Sequence, residues 1–327
     1  MMENRTEIIR RVKALMAGNA SFAETADAVF RFQRDHNPVY GEFTRLLDRT
    51  VYEKLPFLPV ELFKSKAVKT GRFDAETVFV SSGTTGAVTS RHHVRETAWY
   101  EYLFTETFRR AYGDPAGFCF LCLLPSYLER NGSSLVYMAE SLVRQSRYDS
   151  SGFYLHAGET LAERLRANEA EGVPTVLLGV TFALLDLVEQ NRLQLPRTIV
   201  METGGMKGRR PEITRTELHE RLTEGLGVPS VHSEYGMTEL LSQAYSKGGG
   251  IFVPPPQMRI VVTEVNDPFH VPEPGRTGTV NIIDLGNVDS CAFIATKDLG
   301  RVYADGSFEI LGRYDHSDVR GCNLLIA

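Results

Sequence analysis

Between residues 77 and 236 the chain passes repeatedly from a short run of apolar β-formers into a longer stretch of helical spacing. Strands are read at Thr77–Val80, at FCFLCLLP, at PTVLLGV (174–180), at RTIVMETGG (197–205) and at VPSVHSEYG (228–236). Between them lie helical stretches: TAWYEYLFTETFRRAY (97–112), SSLVYMAESLVRQS (133–146), TFALLDLVEQNRL (181–193) behind a Thr cap, and PEITRTELHERLTEGLG. The last opens at Pro211 and stops at Gly227. Parallel strands need long crossovers and antiparallel ones do not, so this alternation points to a parallel sheet covered by helices. Later the helical spacing disappears. MRIVVTEV, GTVNIIDL, CAFIATKDLGRVY and GSFEILGRY follow one another between Gly, Pro and Asp, with Asp305-Gly306 as a hairpin turn and Val271–Gly278 as a long turn. The expected fold is α/β: mainly parallel sheets flanked by helices (1–245), plus a smaller antiparallel β subdomain with a C-terminal tail (246–327).

The remaining properties mostly exclude. With 327 residues, 43% hydrophobic and 24% charged, the chain can bury a core of one large or two modest domains. Its net charge of −5, evenly interspersed, argues against a nucleic-acid partner. MMENRTEIIRRVKALMAG has apolar residues at helical spacing among Arg10, Arg11 and Lys13, so it is read as an amphipathic surface helix rather than a signal peptide. The apolar stretches are too short or too polar to insert in a membrane, and a cytoplasmic protein is expected. Cys119 and Cys122 form a CxxC inside an apolar strand and are read as buried thiols, not as a redox or metal pair. His92-His93 lacks a second ligand pair and is read as part of a solvated loop. No GxSxG elbow is present, which excludes the usual serine hydrolase arrangement.

What remains is SSGTTG, Ser81 to Gly86, directly after a strand. Small hydroxyl residues and glycines let backbone N–H groups converge on an anion, so the segment reads as a phosphate cradle or as a flexible loop. It is not a Walker A loop, because the lysine of that motif is missing. Further along come ETGGMK (202–207), SEYGMTEL (233–240) and TKDLGRVYADGSFEILGRYDHSDVRG (296–321), in that order.

This ordered set resembles the adenylate-forming superfamily of acyl-CoA ligases, firefly-type luciferases and peptide-synthetase adenylation domains. LLPSYLERNGSSLVYM and EYGMTELLSQAY look most like its acyl-protein synthetase branch, the activating subunit of the bacterial bioluminescence fatty acid reductase. The resemblance runs from about residue 50 to the C-terminus and implies the large N-terminal domain of such enzymes. It also implies roles. Ser81, Ser82, Gly83, Thr84, Thr85 and Gly86 would hold the β- and γ-phosphates of ATP. Gly204, Gly205 and Met206 would lie against the adenine, and Tyr235, followed by Gly236, would stack on it. Thr238 would donate to the α-phosphate and Glu239 would bind Mg²⁺, a hard cation suited to carboxylate and phosphate oxygens. Asp298 would accept from the ribose hydroxyls, and Arg313 would reach the ribose and the α-phosphate charge. Read without the resemblance, Asp298 and Arg313 are turn residues of the antiparallel part.

Two departures from the family pattern stand out. Typical members continue for about a hundred residues beyond the GRxD hinge, here Gly312, Arg313 and Asp315, as a mobile domain carrying a lysine that speeds adenylation. This sequence ends twelve residues after Asp315, so that lid and lysine are expected to be missing. A basic residue after the phosphate loop is replaced by AVTSRHH, with Arg91 as a weak substitute. Attention then falls on DVRGCNLLIA. In the resembled branch a cysteine near the C-terminus takes the acyl group as a thioester, and Cys322 beside Arg320-Gly321 fits that part. The alternative reading of Cys322 is a small buried residue of a terminal strand.

The implied function is ATP- and Mg²⁺-dependent activation of a carboxylic, fatty acid as acyl-AMP, followed by transfer to a thiol. An acyl-CoA-reductase-like protein or an acyl carrier would be the partner. A truncated CoA or amine ligase, and a nucleotide-binding module without catalysis, remain open. By analogy with relatives the acyl pocket lies near 177–185 and 237–245, with Phe182, Leu240 and Leu241 as apolar lining. Ser126-Tyr127 and Ser133-Ser134 either border the carboxylate or serve as cap and loop.

Overall fold

The computed structural model describes residues 4–47, 56–82, 88–124, 132–156, 158–204, 210 and 213–314. The chain opens with α1 (Arg5–Met16), α2 (Phe22–His36), α3 (Pro38–Leu46), β1 (Leu58–Pro59) and α4 (Leu62–Ser65). The middle carries β2 (Thr77–Val80), β3 (Arg91–Val94), α5 (Thr97–Tyr112), β4 (Cys119–Leu123), α6 (Ser134–Gln145) and β5 (Gly152–Tyr154). It continues with α7 (Glu159–Glu171), β6 (Thr175–Gly179), α8 (Thr181–Gln190), β7 (Ile199–Glu202), α9 (Arg215–Leu226), β8 (Val231–Tyr235), β9 (Ala244–Ser246) and β10 (Phe252–Val253). The last part holds β11 (Met258–Thr263), β12 (Gly278–Asp284), β13 (Phe293–Val302) and β14 (Phe308–Arg313).

By compactness, Asp74–Pro255 forms one unit, and Met1–Phe73 joins Pro256–Ala327 in the other. In the continuous unit the strand order is β10-β9-β8-β7-β6-β4-β5. The run from β5 to β8 is parallel, and β9 and β10 add antiparallel strands at one side. β4 (CFLCL) and β6 (TVLLG) are buried at every position, as expected of parallel strands covered on both faces. Helix ends follow local chemistry: Ser133 accepts from the Val136 amide at 3.4 Å, and Gly172 and Gly227 close α7 and α9 in the left-handed conformation.

Three local expectations need correcting. The last helix of this unit starts at Arg215, capped by Thr214, whose hydroxyl accepts from the Glu217 amide. Thr181 is the first residue of α8 rather than its cap; Val180 stands at the cap position without a side-chain bond. His92 and His93 belong to β3, not to a solvated loop, and β2–β3 form a separate antiparallel hairpin with Phe79 buried. The alternation in β3 explains this: His92 and Val94 turn inward while Arg91 stays exposed. Cys119 and Cys122 are buried free thiols, as read, and so is Cys291.

The second unit contains the antiparallel β11-β12-β13-β14 series, with β1 parallel to β13. Its β13–β14 turn is at Asp305-Gly306, where Gly306 has φ 85°. The N-terminal helices join these strands through polar side chains as well as aromatics. Buried Gln33 donates to the carbonyls of Asn287 and Val288, at 2.8 and 3.1 Å, and accepts from the Ala292 amide at 2.9 Å. Asn37 caps α3 with its oxygen while its amide nitrogen donates to the Ser290 carbonyl. Arg5 makes a two-pronged ion pair with Asp289 at 2.6 and 2.8 Å, a geometry that favours one orientation. Tyr40 stacks on Phe293.

Candidate functional site

In the continuous unit the site grows from three strand ends. The first is the base of the SSGTTG segment. Ser81 follows β2 directly; its amide donates to the Ser90 carbonyl, and its hydroxyl accepts from the Ser90 amide at 2.9 Å. The two bonds hold Ser81 and Ser90 together just past the paired part of β2 and β3. Gly83, Thr84, Thr85 and Gly86 lie outside the described residues; Ser82 is at the rim.

The second is YGMTE. After β8 the chain makes a turn over Thr238 and Glu239, with the Leu240 amide donating to the Met237 carbonyl. His92, 1% exposed on β3, bonds through Nδ1 to the Thr238 carbonyl at 2.8 Å. A carbonyl only accepts, so Nδ1 carries the proton. The β2–β3 hairpin and the Thr238 turn, far apart in sequence, are thus joined by a part-buried hydrogen bond. Glu239 is buried, and Tyr235 packs at a tilt against Phe252, with ring centres 5.9 Å apart. Gly236 is exposed on the backbone beyond it.

The third is the end of β7. Glu202 is 2% exposed and accepts from the Gly204 amide at 2.6 Å, which fixes the start of the glycine loop; Gly204 has φ 73°. Its other oxygen lies 3.5 Å from Arg215 Nε and 3.7 Å from His219 Nε2 on α9. Burial pushes the Glu202 pKa up. Hydrogen bonding from His219, the charge of Arg215, the Ser233 hydroxyl and the Gly204 amide outweigh it and hold the carboxyl below its ordinary value. Gly205 and Met206 lie outside the described residues.

On the opposite face of β8 sits Glu234, paired in register with Tyr245 of β9. Burial, aided by the charge of Glu202, pushes its carboxyl up to about 8. Gly236 leaves room for it: a Cβ there would meet Glu234 Oε1 at 2.6 Å. Glu202, Glu234 and Gln243 were not singled out from sequence, and His92 was read only as part of a loop. Charged or amide residues among apolar or aromatic neighbours, as in IVME and SEYG, were the available signal.

In the other unit Asp298 and Arg313 are direct cross-strand partners on β13 and β14, not turn residues. Arg313 Nε is 3.6 Å from Asp298 Oδ1, with 69% of its side chain exposed. The pair is loose enough for the guanidinium to reach another anion. The expected pocket residues Phe182, Leu240 and Leu241 are all buried, and Ser133 acts as a helix cap. Ser126-Tyr127, Asp315 and Cys322 lie outside the described residues. Among the described residues no cluster of three metal-ligating side chains occurs, and no helix is long and apolar enough to cross a membrane.

No family model matches the chain, and no curated protein matches its sequence. Solved structures do match its fold. ATP-bound MatB from Rhodopseudomonas palustris gives a TM-score of 0.54 at 19% identity, covering 74% of this chain and 49% of that one. O-succinylbenzoate coenzyme A synthetase (MenE) from Bacillus subtilis, in complex with AMP, gives 0.51 at 20% identity, with 76% and 51% covered. 2-Hydroxyisobutyryl-CoA ligase in the postadenylation state gives 0.63 at 12% identity, with 90% and 68% covered. MenE has also been solved with ATP and magnesium ion. The chain spans about half the length of MatB and MenE. Its mixed sheet flanked by helices, with a small antiparallel sheet, is the fold of the N-terminal domain of adenylate-forming enzymes.

Proposed function

We propose that this chain activates a carboxylic acid as its acyl adenylate, using ATP and Mg²⁺, and passes the acyl group to a thiol. The observation that carries the reading is the His92–Thr238 hydrogen bond, which joins the proposed phosphate-loop hairpin to the YGMTE turn in a fold shared with ATP-bound MatB. In this reading Ser81, Ser82 and the Gly83–Gly86 loop hold the departing phosphates. Gly204, Gly205, Met206, Tyr235 and Gly236 receive the adenine. Asp298 takes the ribose, and Thr238 and Arg313 meet the α-phosphate.

The acid's carboxylate oxygen attacks the α-phosphorus and pyrophosphate leaves with the bonding electrons. The work of the side chains is to position and to neutralise charge. Glu239, a buried carboxylate, would hold Mg²⁺, a hard cation that takes oxygen ligands. When bound, Mg²⁺ supplies charge neutralisation on the phosphates.

For the second half, the Cys322 thiolate attacks the acyl carbonyl; the C–S bond forms and AMP departs. An apolar, fatty acyl body, an acyl-protein synthetase-like role and hand-over to an acyl-CoA-reductase-like protein or carrier complete the proposal. A diffusible thiol, coenzyme A, is the second reading, favoured by the names of the matched CoA synthetase and ligase. Intact-protein mass after incubation with ATP, Mg²⁺ and a panel of acids separates them. An acyl-sized gain, labile to hydroxylamine and absent from Cys322→Ser, supports the first. Acyl transfer to added coenzyme A that survives Cys322→Ser supports the second. Neither product, with no pyrophosphate release, overturns the proposed enzyme.

A further inference from the structure

One feature of the continuous unit has no use in the activation chemistry. Gln243 is 4% exposed, and its Nε2 donates to the Tyr100 hydroxyl at 3.4 Å. That hydroxyl itself donates to the Ser134 carbonyl at 3.2 Å, so it can only accept from Gln243, and the amide orientation is set. The Gln243 oxygen is left pointing away, buried and without a hydrogen-bond partner. A buried, unpaired acceptor is costly and calls for an explanation.

Its neighbour is the Glu234 carboxyl. A Cβ built on Gly236 would meet Glu234 Oε1 at 2.6 Å and Gln243 Cγ at 3.5 Å, so both side chains run past the same glycine. Among the described residues the Glu234 carboxyl makes no hydrogen bond either. Around the two stand aromatic groups. Tyr245 is the register partner of Glu234, and Tyr112 packs edge-on to Tyr245 at 5.3 Å, its own hydroxyl bonded to His232. Phe108 meets Tyr245 at 6.1 Å. The pair lies within a few residues of Thr238, where the proposed activation places the α-phosphate.

We infer that Glu234 and Gln243 form the acyl-recognition end of the site and select a carboxylic acid whose chain or ring carries a hydroxyl. The inference rests on the acid-activating reading and narrows its apolar acyl group to a hydroxylated one. The ligand hydroxyl donates to the Gln243 oxygen and accepts from the protonated Glu234 carboxyl. A hydroxyl fits better than an ammonium, because a carboxyl kept protonated near neutral pH offers no charge to pair with a cation.

The test uses non-hydrolysable acyl-adenylate mimics in matched sets: unsubstituted, hydroxylated and amino-substituted acyl groups of equal length. Calorimetric binding needs no turnover. Wild type is expected to bind a hydroxylated mimic at least about tenfold more tightly than its unsubstituted partner, since a site built for a hydroxyl penalises its absence. Gln243→Met and Glu234→Gln should each reduce the ratio of hydroxylated to unsubstituted affinity to less than about threefold. Two variants are needed because Gln243 also braces Tyr100. Equal binding of the hydroxylated and unsubstituted mimics, or preference for the amino form, overturns the inference and leaves the activating reading in place. Binding of no mimic at all overturns both.

Discussion

Glu234→Gln tests the electrostatics of the β8 face directly. The wild-type carboxyl, normally near 4.5, is pushed up to about 8 by burial and by Glu202. A raised carboxyl pKa means that the folded state binds the proton more tightly than the unfolded one. Its contribution is fully present below about pH 4.5 and is lost as pH rises through about 8. At about 1.4 kcal/mol per pKa step, that interval has an upper bound of about 5 kcal/mol. Glu234 is only partly solvated as a residue, so the expected loss stays close to that bound, at about 3–5 kcal/mol. Glutamine keeps the shape and cannot ionise, so the variant should lack this decline. His232 works in the opposite sense, because burial and Lys247 lower its pKa and its effect favours folding as pH rises. That effect is common to both proteins and cancels in the difference. Urea unfolding followed through Trp99, the sole tryptophan, which lies on α5 of the same unit, is the assay. The stability of wild type minus variant should fall by about 3–5 kcal/mol between pH 5 and pH 9. A difference that stays constant to within about 0.5 kcal/mol would refute the assignment of a buried, poorly solvated carboxyl.

Other substitutions probe the remaining supports. His92→Phe leaves the Thr238 carbonyl without its donor; a loss of about 1–3 kcal/mol in urea unfolding is expected, with weaker ATP binding by calorimetry. Glu202 is held below its ordinary value despite burial, so it stabilises the fold above about pH 4.5 and loses that effect as pH falls through its depressed pKa. Glu202→Gln should therefore flatten the acid limb of the stability curve, read by denaturant midpoints from pH 3 to pH 6. Thr214→Ala removes the cap of α9 and should cost about 1 kcal/mol in the same assay. Cys122 and Cys291 have thiol pKa values raised by burial, so alkylation read by peptide mass should spare both until the chain unfolds.

Much of the architecture is legible because its signals are local. The all-apolar CFLCL and TVLLG runs announce covered strands, and Gly227 marks a helix end at the residue. Asp305-Gly306 gives the β13–β14 turn for the same reason: two residues carry the whole conformational requirement. What is less legible depends on distant partners. His92 looks like a loop residue because its acceptor, the Thr238 carbonyl, is a backbone group 146 positions away. The role of Gln33 is equally hidden, since its three bonds reach main-chain atoms more than 250 positions on. The motifs nominate Thr238 and Asp298 by residue type, and their roles remain proposals. They do not reveal Glu234 or Gln243, whose importance lies in bonds they lack.

The division of the chain has a consequence for the order of events at the ribosome. Asp74–Pro255 is one continuous segment and emerges as a complete folding unit. The first 73 residues belong with a stretch that has not yet been made. Arg5 must wait for Asp289, 284 positions later, and β1 for its partner β13. Until then the parts of the first helices that pack on the later strands stand uncovered, so the N-terminal segment is expected to complete its core after the continuous middle unit.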